Sequence, residues 1–401
     1  MFNMAQLVFT FTVFNKFYCM IQLSFWEKES FFAPQDIIIV GSGFVGLWSA
    51  LQLKLKNPAY KITILERGII PTGASTRNAG FSCFGSPSEL LADVVSMGED
   101  KMWHLVEMRY KGLMEIRKHF TEASIEYDGC GGYECFTSES DDWNNSFKKL
   151  EWLNKGLQNI TGHKNLFTIT DEKISQFGFR GFDHLIENRL EAGLHSGKLV
   201  QVLLQKVQGL GVQVLTGIEV KSYQSHHHGI ELETASIAYE GNNVRFTTAQ
   251  LLLCTNAFTR QLFPTIDIIP NRGQVLITAP IDNLSFKGTF HFDKGYYYFR
   301  NVGNRLLLGG ARNKAFELEN TTDMQTNEII QTALEEFIQQ HLLPGITYTI
   351  TDKWSGIMAM GSEKSPIIQS ISPNVYCCVR MSGMGVALAP FVAKEIAALM
   401  N

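Results

Sequence analysis

Three glycines and one acidic residue have the spacing of a dinucleotide-binding site. Gly41, Gly43 and Gly46 form a G-x-G-x-x-G motif, and Glu66 follows 20 residues after the last glycine. In such a motif the glycines permit a tight turn, a close backbone approach to a pyrophosphate and close packing of helix on strand. The helix N-terminus stabilises phosphate charge, and the acid accepts hydrogen bonds from ribose hydroxyls. These residues therefore predict a dinucleotide site.

A dinucleotide-binding motif must lie between a strand and a helix. Residues 36–40 are a short apolar run of the kind that is buried in a parallel sheet. We predict a helix over residues 45–56, closed by Asn57-Pro58, and a second strand over residues 61–65. The motif thus has the context that separates a dinucleotide site from an ordinary glycine-rich turn.

A second loop of small residues, over residues 71–81, follows Glu66 closely. FAD is longer than a nicotinamide dinucleotide, and its isoalloxazine ring needs a close backbone approach that small residues allow. The loop therefore favours FAD. Its stretch GASTRNAG, residues 73–80, resembles the D-amino acid oxidase family of flavoproteins, which includes glycine oxidase, monomeric sarcosine oxidase and gamma-glutamylputrescine oxidase.

The resemblance extends over most of the chain after residue 34. Residues 192–220 are similar to the family's second FAD-domain segment, which implies a helix and then a strand ending at Val220 beside the adenine. Residues 250–258 resemble the strand and turn that pass beneath the pyrophosphate.

The C-terminal part also follows the family's order. Residues 353–356 resemble its W-x-G sequence, and Gly383 and Gly385 resemble its glycine pair. The closing helix, which we expect to begin near Val386, would direct its positive N-terminal end at the pyrimidine edge of the flavin.

The resemblance implies a set of FAD contacts in these segments. They are Gly41, Ser42, Gly43, Phe44, Val45, Gly46, Glu66, Arg67, Ala74, Ser75, Thr76, Arg77, Asn78, Ala79, Gly80, Val220, Thr255, Asn256, Ala257, Gly383, Met384 and Gly385. Sarcosine oxidase-like members attach FAD through a cysteine after the W-x-G sequence. Met358, Ala359 and Met360 offer no thiol there, so we predict non-covalent FAD.

The resemblance implies an FAD-dependent oxidoreductase that acts on CH–NH or CH–NH2 groups, as an oxidase or a dehydrogenase. A hydride passes from the substrate to flavin N5, and the resulting imine hydrolyses, so no catalytic residue beyond the flavin is predicted. Glycine oxidase-like members hold the substrate carboxylate with an arginine, where this chain has Met358. The candidate substrate residues are Arg312, Tyr296, Tyr298, Met358 and Arg77.

A second function class stays open, because one branch of the family acts on a macromolecule-linked amine such as a modified tRNA base. Such a protein would need a basic rim or an added RNA-binding domain. The net charge of −4 argues against it, and we expect a small-molecule amine or amino acid, with O2 or another electron acceptor.

The order of the segments predicts an α/β fold in which an FAD-binding Rossmann-like domain is interleaved with an antiparallel-sheet, α+β substrate domain. Apolar periodicity predicts a helix over residues 99–120 in the first insertion, and strand patterns dominate the second. The predicted segments are 34–87, 184–269 and 351–401 for the FAD domain, 88–183 and 270–350 for the substrate domain, and 1–33 for an N-terminal extension.

Residues 1–26 are rich in phenylalanine, with six of the 28 in the chain, and Lys16 is their only charge. A membrane span, a signal peptide, a surface-packed extension and a start codon assigned too early all compete. Polar interruptions and the absence of a cleavage pattern favour a functional start at Met20, so residues 1–19 would not belong to the working protein.

Composition excludes several other classes. The chain has 45% hydrophobic and 18% charged residues, so it has ample core and is not disordered, and a broad nucleic-acid surface is not expected. Seven irregularly spaced cysteines are typical of a reduced protein, so we expect a cytoplasmic location without a membrane contact. We predict no metal, since the histidines at 226–228 fall in a hairpin.

Overall fold

A computed structural model describes residues 23–138, 140–236 and 243–400. The expectations for residues 1–19 and the start at Met20 lie outside the described residues. Near the end of the predicted N-terminal extension, the ring of Phe32 packs 5.3 Å from that of Phe246. Within the described ranges, no helix combines the length and apolar character that a bilayer span requires.

The helices are α1 (Phe25–Glu29), α2 (Phe44–Lys56), α3 (Pro87–Met97), α4 (Glu99–His119), α5 (Glu122–Ile125), α6 (Asp141–Thr161), α7 (Glu172–Phe177), α8 (Ser196–Gly209), α9 (Phe316–Glu319), α10 (Glu328–Phe337) and α11 (Gly385–Leu399). The strands are β1 (Gln35–Val40), β2 (Ile62–Glu66), β3 (Phe81–Ser82), β4 (Gly132–Phe136), β5 (Phe167–Ile169), β6 (His184–Asn188), β7 (Ala192–Gly193), β8 (Gln213–Thr216), β9 (Ile218–His226), β10 (Gly229–Ser236), β11 (Asn243–Leu253), β12 (Ile269–Thr278), β13 (Thr289–Phe292), β14 (Tyr297–Val302), β15 (Arg305–Gly310), β16 (Ile350–Met360), β17 (Ile367–Ser372) and β18 (Val375–Val379).

The first sheet has the strand order β17-β18-β11-β1-β2-β8, and the hairpin β9-β10 pairs onto β11. Strand β1 pairs in parallel with both β2 and β11, and Ile37, Ile38 and Ile39 are fully buried. An apolar run without alternation is what such a doubly covered strand requires. The predicted strand-turn-helix-strand unit is confirmed, with α2 beginning one residue earlier than expected.

The prediction of one strand ending at Val220 is wrong. Strand β8 ends at Thr216, and β9 begins at Ile218 and runs past Val220. The break lies at Gly217, whose φ of +71° leaves the extended region and whose N–H donates to the Gly68 carbonyl at 2.9 Å. Glycine adopts this conformation without a steric cost, so the chain turns there into a new hairpin.

The second sheet has the order β16-β12-β15-β14-β13-β4-β6-β5 and is antiparallel except for the pairing of β13 with β4. This confirms the predicted antiparallel sheet beside a Rossmann-like unit. Strand β16 pairs with β12 along ten residues, so the stretch 350–360 joins this sheet before β17 and β18 return the chain to the first. The precise domain boundaries stay a prediction.

Helix α4 packs against α11 at an unusually close approach. The predicted apolar face of α4 is buried, including Met102, Leu113 and Ile116. Gly112 faces the backbone of Ala387 in α11, and a Cβ atom at this glycine would overlap the Ala387 carbonyl oxygen. The two helices can therefore lie at this distance only because residue 112 has no side chain.

Gly112→Ala should destabilise the protein by about 1–3 kcal/mol, because the added methyl group overlaps backbone that cannot rotate away. Gly209→Ala is the matched control, since no atom lies within 4 Å of a Cβ there and alanine favours a helix. Chemical denaturation of both variants measures the free energy of unfolding. Equal stability of the two variants would contradict the proposed close contact.

Glu134 is a buried acid that joins the second sheet to α3. It lies in the middle of β4, where Oε2 accepts a hydrogen bond from the Ser88 N–H at 2.9 Å and Oε1 bonds to the Ser88 hydroxyl. Burial outweighs these bonds and raises the pKa of Glu134 to about 8. The side chain is therefore a neutral acid at neutral pH.

Because the pKa of Glu134 is higher in the folded than in the unfolded protein, its contribution to stability is present at low pH and is lost as the pH rises towards 8. The free energy of unfolding of the wild type should fall relative to that of Glu134→Gln between pH 5 and 8, by at most about 1.4 kcal/mol per pH unit. Urea titrations at several pH values measure this difference, and the values at pH 5 control for altered hydrogen bonding. If the free energies of unfolding of the two proteins changed in parallel with pH, the raised pKa of Glu134 would be contradicted.

Candidate flavin site

One cavity of about 600 Å³ is lined by residues of both sheets. The turn after β1 and the end of β2 line one part of it, and Gly273 of β12 and Met358 of β16 line another. The site therefore lies where the parallel unit meets the antiparallel sheet, as expected for a ligand at the carboxyl ends of parallel strands.

The glycine motif forms the predicted tight turn at the start of α2. Gly41 has a φ of +104°, and a Cβ there would lie 2.8 Å from the Cys254 carbonyl oxygen. A Cβ on Gly46 would overlap the Gly41 carbonyl oxygen. Gly43, before the first turn of α2, has no side chain to cap the helix, and Gly43, Phe44 and Val45 at this helix end all line the cavity. This geometry fits a pyrophosphate group.

Glu66 is held rigidly at the end of β2. Its Oε2 accepts hydrogen bonds from the Ser42 N–H at 3.0 Å and the Ser42 hydroxyl at 2.8 Å, and its Oε1 accepts one from the Gly68 N–H at 2.9 Å. The carboxylate also lines the cavity. Ser42 itself is fully buried and lies outside the cavity wall, so its role is to position the acid.

The second loop is stabilised by its own side chains. The Asn78 amide donates to the carbonyls of Ala74 and Ser75, and its oxygen accepts from the Gly80 N–H at 2.9 Å. The Ser75 hydroxyl accepts a hydrogen bond from the Phe44 N–H at 2.8 Å, which ties this loop to the start of α2.

Arg77 ties the same loop to the second sheet. Its guanidinium donates to the carbonyls of Thr72 and Ser355, both at 3.0 Å, and the Trp354 indole N–H donates to the Arg77 carbonyl at 3.0 Å. The Arg77 side chain is thus occupied by backbone partners, which makes it a positioning residue rather than a free cation.

Most of the residues predicted to contact FAD line this one cavity. They are Gly41, Gly43, Phe44, Val45, Glu66, Arg67, Ala74, Ser75, Arg77, Asn78, Ala79, Gly80, Val220, Thr255, Asn256, Gly383, Met384 and Gly385. Ser42, Gly46, Thr76 and Ala257 do not line it. Gly46 acts through helix packing, the Thr76 hydroxyl donates to the Pro71 carbonyl at 2.6 Å, and Ala257 belongs to the core.

The substrate candidates also line the cavity. Tyr296 and Tyr298 both face the cavity, while Tyr297 between them points into the core and stacks on Phe337. Burial raises the pKa of Tyr298 to about 12, so the phenol keeps its proton. Arg312 donates to the Asn271 side chain.

The cavity wall contains an acid–base cluster that was not predicted from the sequence. His291 Nε2 lies 3.1 Å from Glu191 Oε2, and His291 Nδ1 lies 3.8 Å from Glu89 Oε2. Burial would lower the pKa of His291, but the two carboxylates outweigh it and raise the pKa to about 9. The imidazole is therefore charged at neutral pH. Only Glu89 had a local signal, the capping box that it forms with Ser86.

Cys83 lies beside this cluster, and its thiol, Glu191 and His291 bring potential metal ligands within 4.8 Å of one another. Burial and the neighbouring carboxylates raise the pKa of the Cys83 thiol well above its usual value. Glu191 and His291 form a hydrogen-bonded ion pair, and the Cys83 thiol next to it is neutral.

Comparison with known proteins gives the same assignment as the cavity. The family model described as "FAD dependent oxidoreductase" matches residues 36–399. The chain is 24% identical over 379 residues to the probable oxidoreductase OrdL of Haemophilus influenzae, which covers 90% of this chain and 82% of that protein. It is 24% identical over 381 residues to gamma-glutamylputrescine oxidoreductase of Escherichia coli, covering 91% and 83%.

Solved structures show the same fold. L-proline dehydrogenase from P. horikoshii superposes with a TM-score of 0.73 at 19% identity, covering 91% of this chain and 93% of that one. Glycine oxidase from Bacillus cereus superposes with a TM-score of 0.72 at 15% identity, covering 91% and 94%. The fold, the cavity and the family match together show that this chain belongs to the FAD dependent oxidoreductase family, in which FAD is the cofactor.

Proposed function

We propose that the protein oxidises a small amine or amino acid by hydride transfer to non-covalent FAD, and that the imine product is hydrolysed by water. The observation that carries this proposal is the cavity in which the dinucleotide-binding loops and a wall from the second sheet meet. Bound FAD would supply the two-electron acceptor. The names of gamma-glutamylputrescine oxidoreductase and glycine oxidase among the similar proteins support amine substrates.

The residues of the second sheet would shape the substrate site rather than act as acids or bases. The Tyr298 phenol and the charged His291 both hold their protons at neutral pH, so neither is a ready proton acceptor. A partly apolar wall that contains Met358 and Phe81 would disfavour the ammonium form of the substrate. The neutral amine is the form from which a hydride can leave.

The thiols support non-covalent binding of FAD. Within the described residues, Cys83, Cys254 and Cys378 line the cavity. Burial raises the pKa of each of these thiols well above its usual value, so each is a poor nucleophile. Met358 and Met360, which follow the W-x-G sequence on β16, also line the cavity and offer no thiol.

Glu66→Gln should raise the Kd for FAD by about 10–100-fold, because it removes charge-assisted hydrogen bonds that hold the turn and would accept the ribose hydroxyls. Glu219→Gln is the matched control, since Glu219 also lines the cavity but is half exposed and paired with Lys221. Titration of flavin-free protein with FAD measures both affinities. Equal effects of the two changes, or flavin that stays on acid-precipitated protein, would contradict the proposal.

The purified FAD-loaded enzyme should lose its flavin absorbance under anaerobic conditions when it meets its substrate. The panel contains primary amines, N-methyl amino acids and D- and L-amino acids, with the corresponding carboxylic acids as controls. Readmission of air then distinguishes an oxidase, which reoxidises rapidly, from a dehydrogenase. Bleaching by none of the nitrogen compounds would overturn the proposed function.

A further inference from the structure

Arg380 has a backbone conformation that arginine rarely adopts. Its φ is +63°, in the left-handed region, where the Cβ atom of a side chain lies too close to the following carbonyl oxygen. It follows directly after β18 and begins the turn that leads to α11. Two more residues of this turn, Ser382 and Gly383, have φ values of +47° and +85°. Such strain persists only where surrounding contacts hold it, and it is concentrated at functional sites.

The turn has few restraints of its own. The Ser382 N–H donates to the Ala359 carbonyl at 3.3 Å, and the Met384 N–H donates to the Met381 carbonyl at 2.8 Å. The Ser382 hydroxyl is buried and has no hydrogen-bond partner within the part of the chain that the structure describes. The left-handed conformation of Ser382 is therefore not stabilised by its own side chain, and the side chain of Arg380 supplies the further restraint.

The Arg380 side chain is buried, with 8% of it exposed, and it does not line the cavity. Its Nε donates to the Ser365 carbonyl at 2.9 Å, and its Nη1 donates to both the carbonyl and the carboxylate of Asp267. The Asp267 carboxylate also accepts a hydrogen bond from the Ser362 hydroxyl at 2.6 Å. This hydrogen bond and the charge of Arg380 lower the pKa of Asp267, so the two side chains form an ion pair.

Gly361 leaves room for this guanidinium. A Cβ at residue 361 would lie 2.7 Å from Arg380 Nη1 and 2.8 Å from the Asp267 carbonyl oxygen. The φ of Gly361 is not positive, so its backbone conformation does not itself require glycine. Arg380 thus connects the end of β18, in the first sheet, to the segments that follow β16 and precede β12, in the second.

The residues that follow Arg380 form part of the cavity wall. Residues 381–387 all line the cavity, and they include the first turn of α11. Met384, which precedes this helix, provides no side-chain cap. The N-terminal end of a helix carries a partial positive charge that stabilises nearby negative charge. The position of the turn therefore sets the electrostatic potential in this part of the cavity.

We propose that Arg380 is a positioning residue for the flavin, and that its ion pair with Asp267 holds the strained turn and so places the start of α11 against bound FAD. Reduction adds negative charge to the flavin, so a well-placed helix end favours the reduced state. Loss of the ion pair would relax the turn and lower the reduction potential. Because this role requires FAD in the cavity but no particular substrate, it goes beyond the proposed amine oxidation.

The test measures the reduction potential of the FAD-loaded protein by anaerobic equilibration with a reference dye. Arg380→Gly removes the side chain without adding strain, because glycine adopts a positive φ freely. It should weaken the binding of reduced relative to oxidised FAD by about 3–30-fold, the range of a charge effect at a helix end. For a two-electron couple this change lowers the potential by about 15–45 mV.

Asn374→Gly is the matched control. Asn374 also has a φ of +63°, but it precedes β18 at the opposite end, is exposed and does not line the cavity. Relief of the same backbone strain there should leave the reduction potential unchanged. An equal shift in both variants would show that the effect does not come from the Arg380 side chain.

Two further variants separate positioning from folding. Gly361→Ala keeps Arg380 but displaces its guanidinium, so it should lower the potential in the same direction. Arg380→Lys keeps the charge beside Asp267 but loses the second donor arm, so it should recover part of the shift. A purely structural ion pair predicts a lower free energy of unfolding in these variants and an unchanged potential of the loaded protein.

The positioning role is overturned if Arg380→Gly folds and binds FAD with an unchanged potential, or if Asn374→Gly shifts the potential equally. Should Arg380→Gly fail to fold, a wild-type potential in Gly361→Ala overturns it instead. Failure of the wild type to bind FAD would also overturn it. No substrate enters these measurements, so an unchanged potential leaves the proposed amine oxidation standing, and a failure of amines to bleach the flavin leaves this role standing.

Discussion

One buried carboxylate sets the geometry on which the rest of the site depends. Glu66 accepts hydrogen bonds from Ser42 and Gly68, so it joins the turn after β1 to the end of β2. From there Ser75 ties the second loop to α2, and Arg77 ties that loop to β16. A continuous series of hydrogen bonds thus connects the first sheet to the second. Glu66, Ser75 and Arg77, which form it, also line the cavity.

The sequence predicted the parts of this arrangement that carry a local signal. The glycine motif, α2 and β2 were found because a strand, a tight turn and a helix impose a pattern on neighbouring residues. The apolar face of α4 was found for the same reason. The break at Gly217 was missed, since a glycine within an apolar run has no pattern that separates a bend from a continuous strand.

The acid–base cluster could not be predicted in this way. Glu89, Glu191 and His291 come from three distant segments, which the pairing of β4 with β13 and β6 and the packing of α3 bring together. Arg109 is different, because a charged residue on the apolar face of a predicted helix was visible in the sequence. Its position beside Asp93 and Lys364 in the cavity wall depends on tertiary packing, which leaves no local pattern in the sequence.

The pairing of β1 has a consequence for the order in which the protein can fold during synthesis. Strand β1 finds one neighbour early, in β2, but its other neighbour, β11, is completed only when Leu253 has left the ribosome. Beyond β11 lies β18, close to the C-terminus. An apolar strand edge therefore stays unpaired until residue 253 has been synthesised, and an unpaired edge of this kind is prone to aggregation.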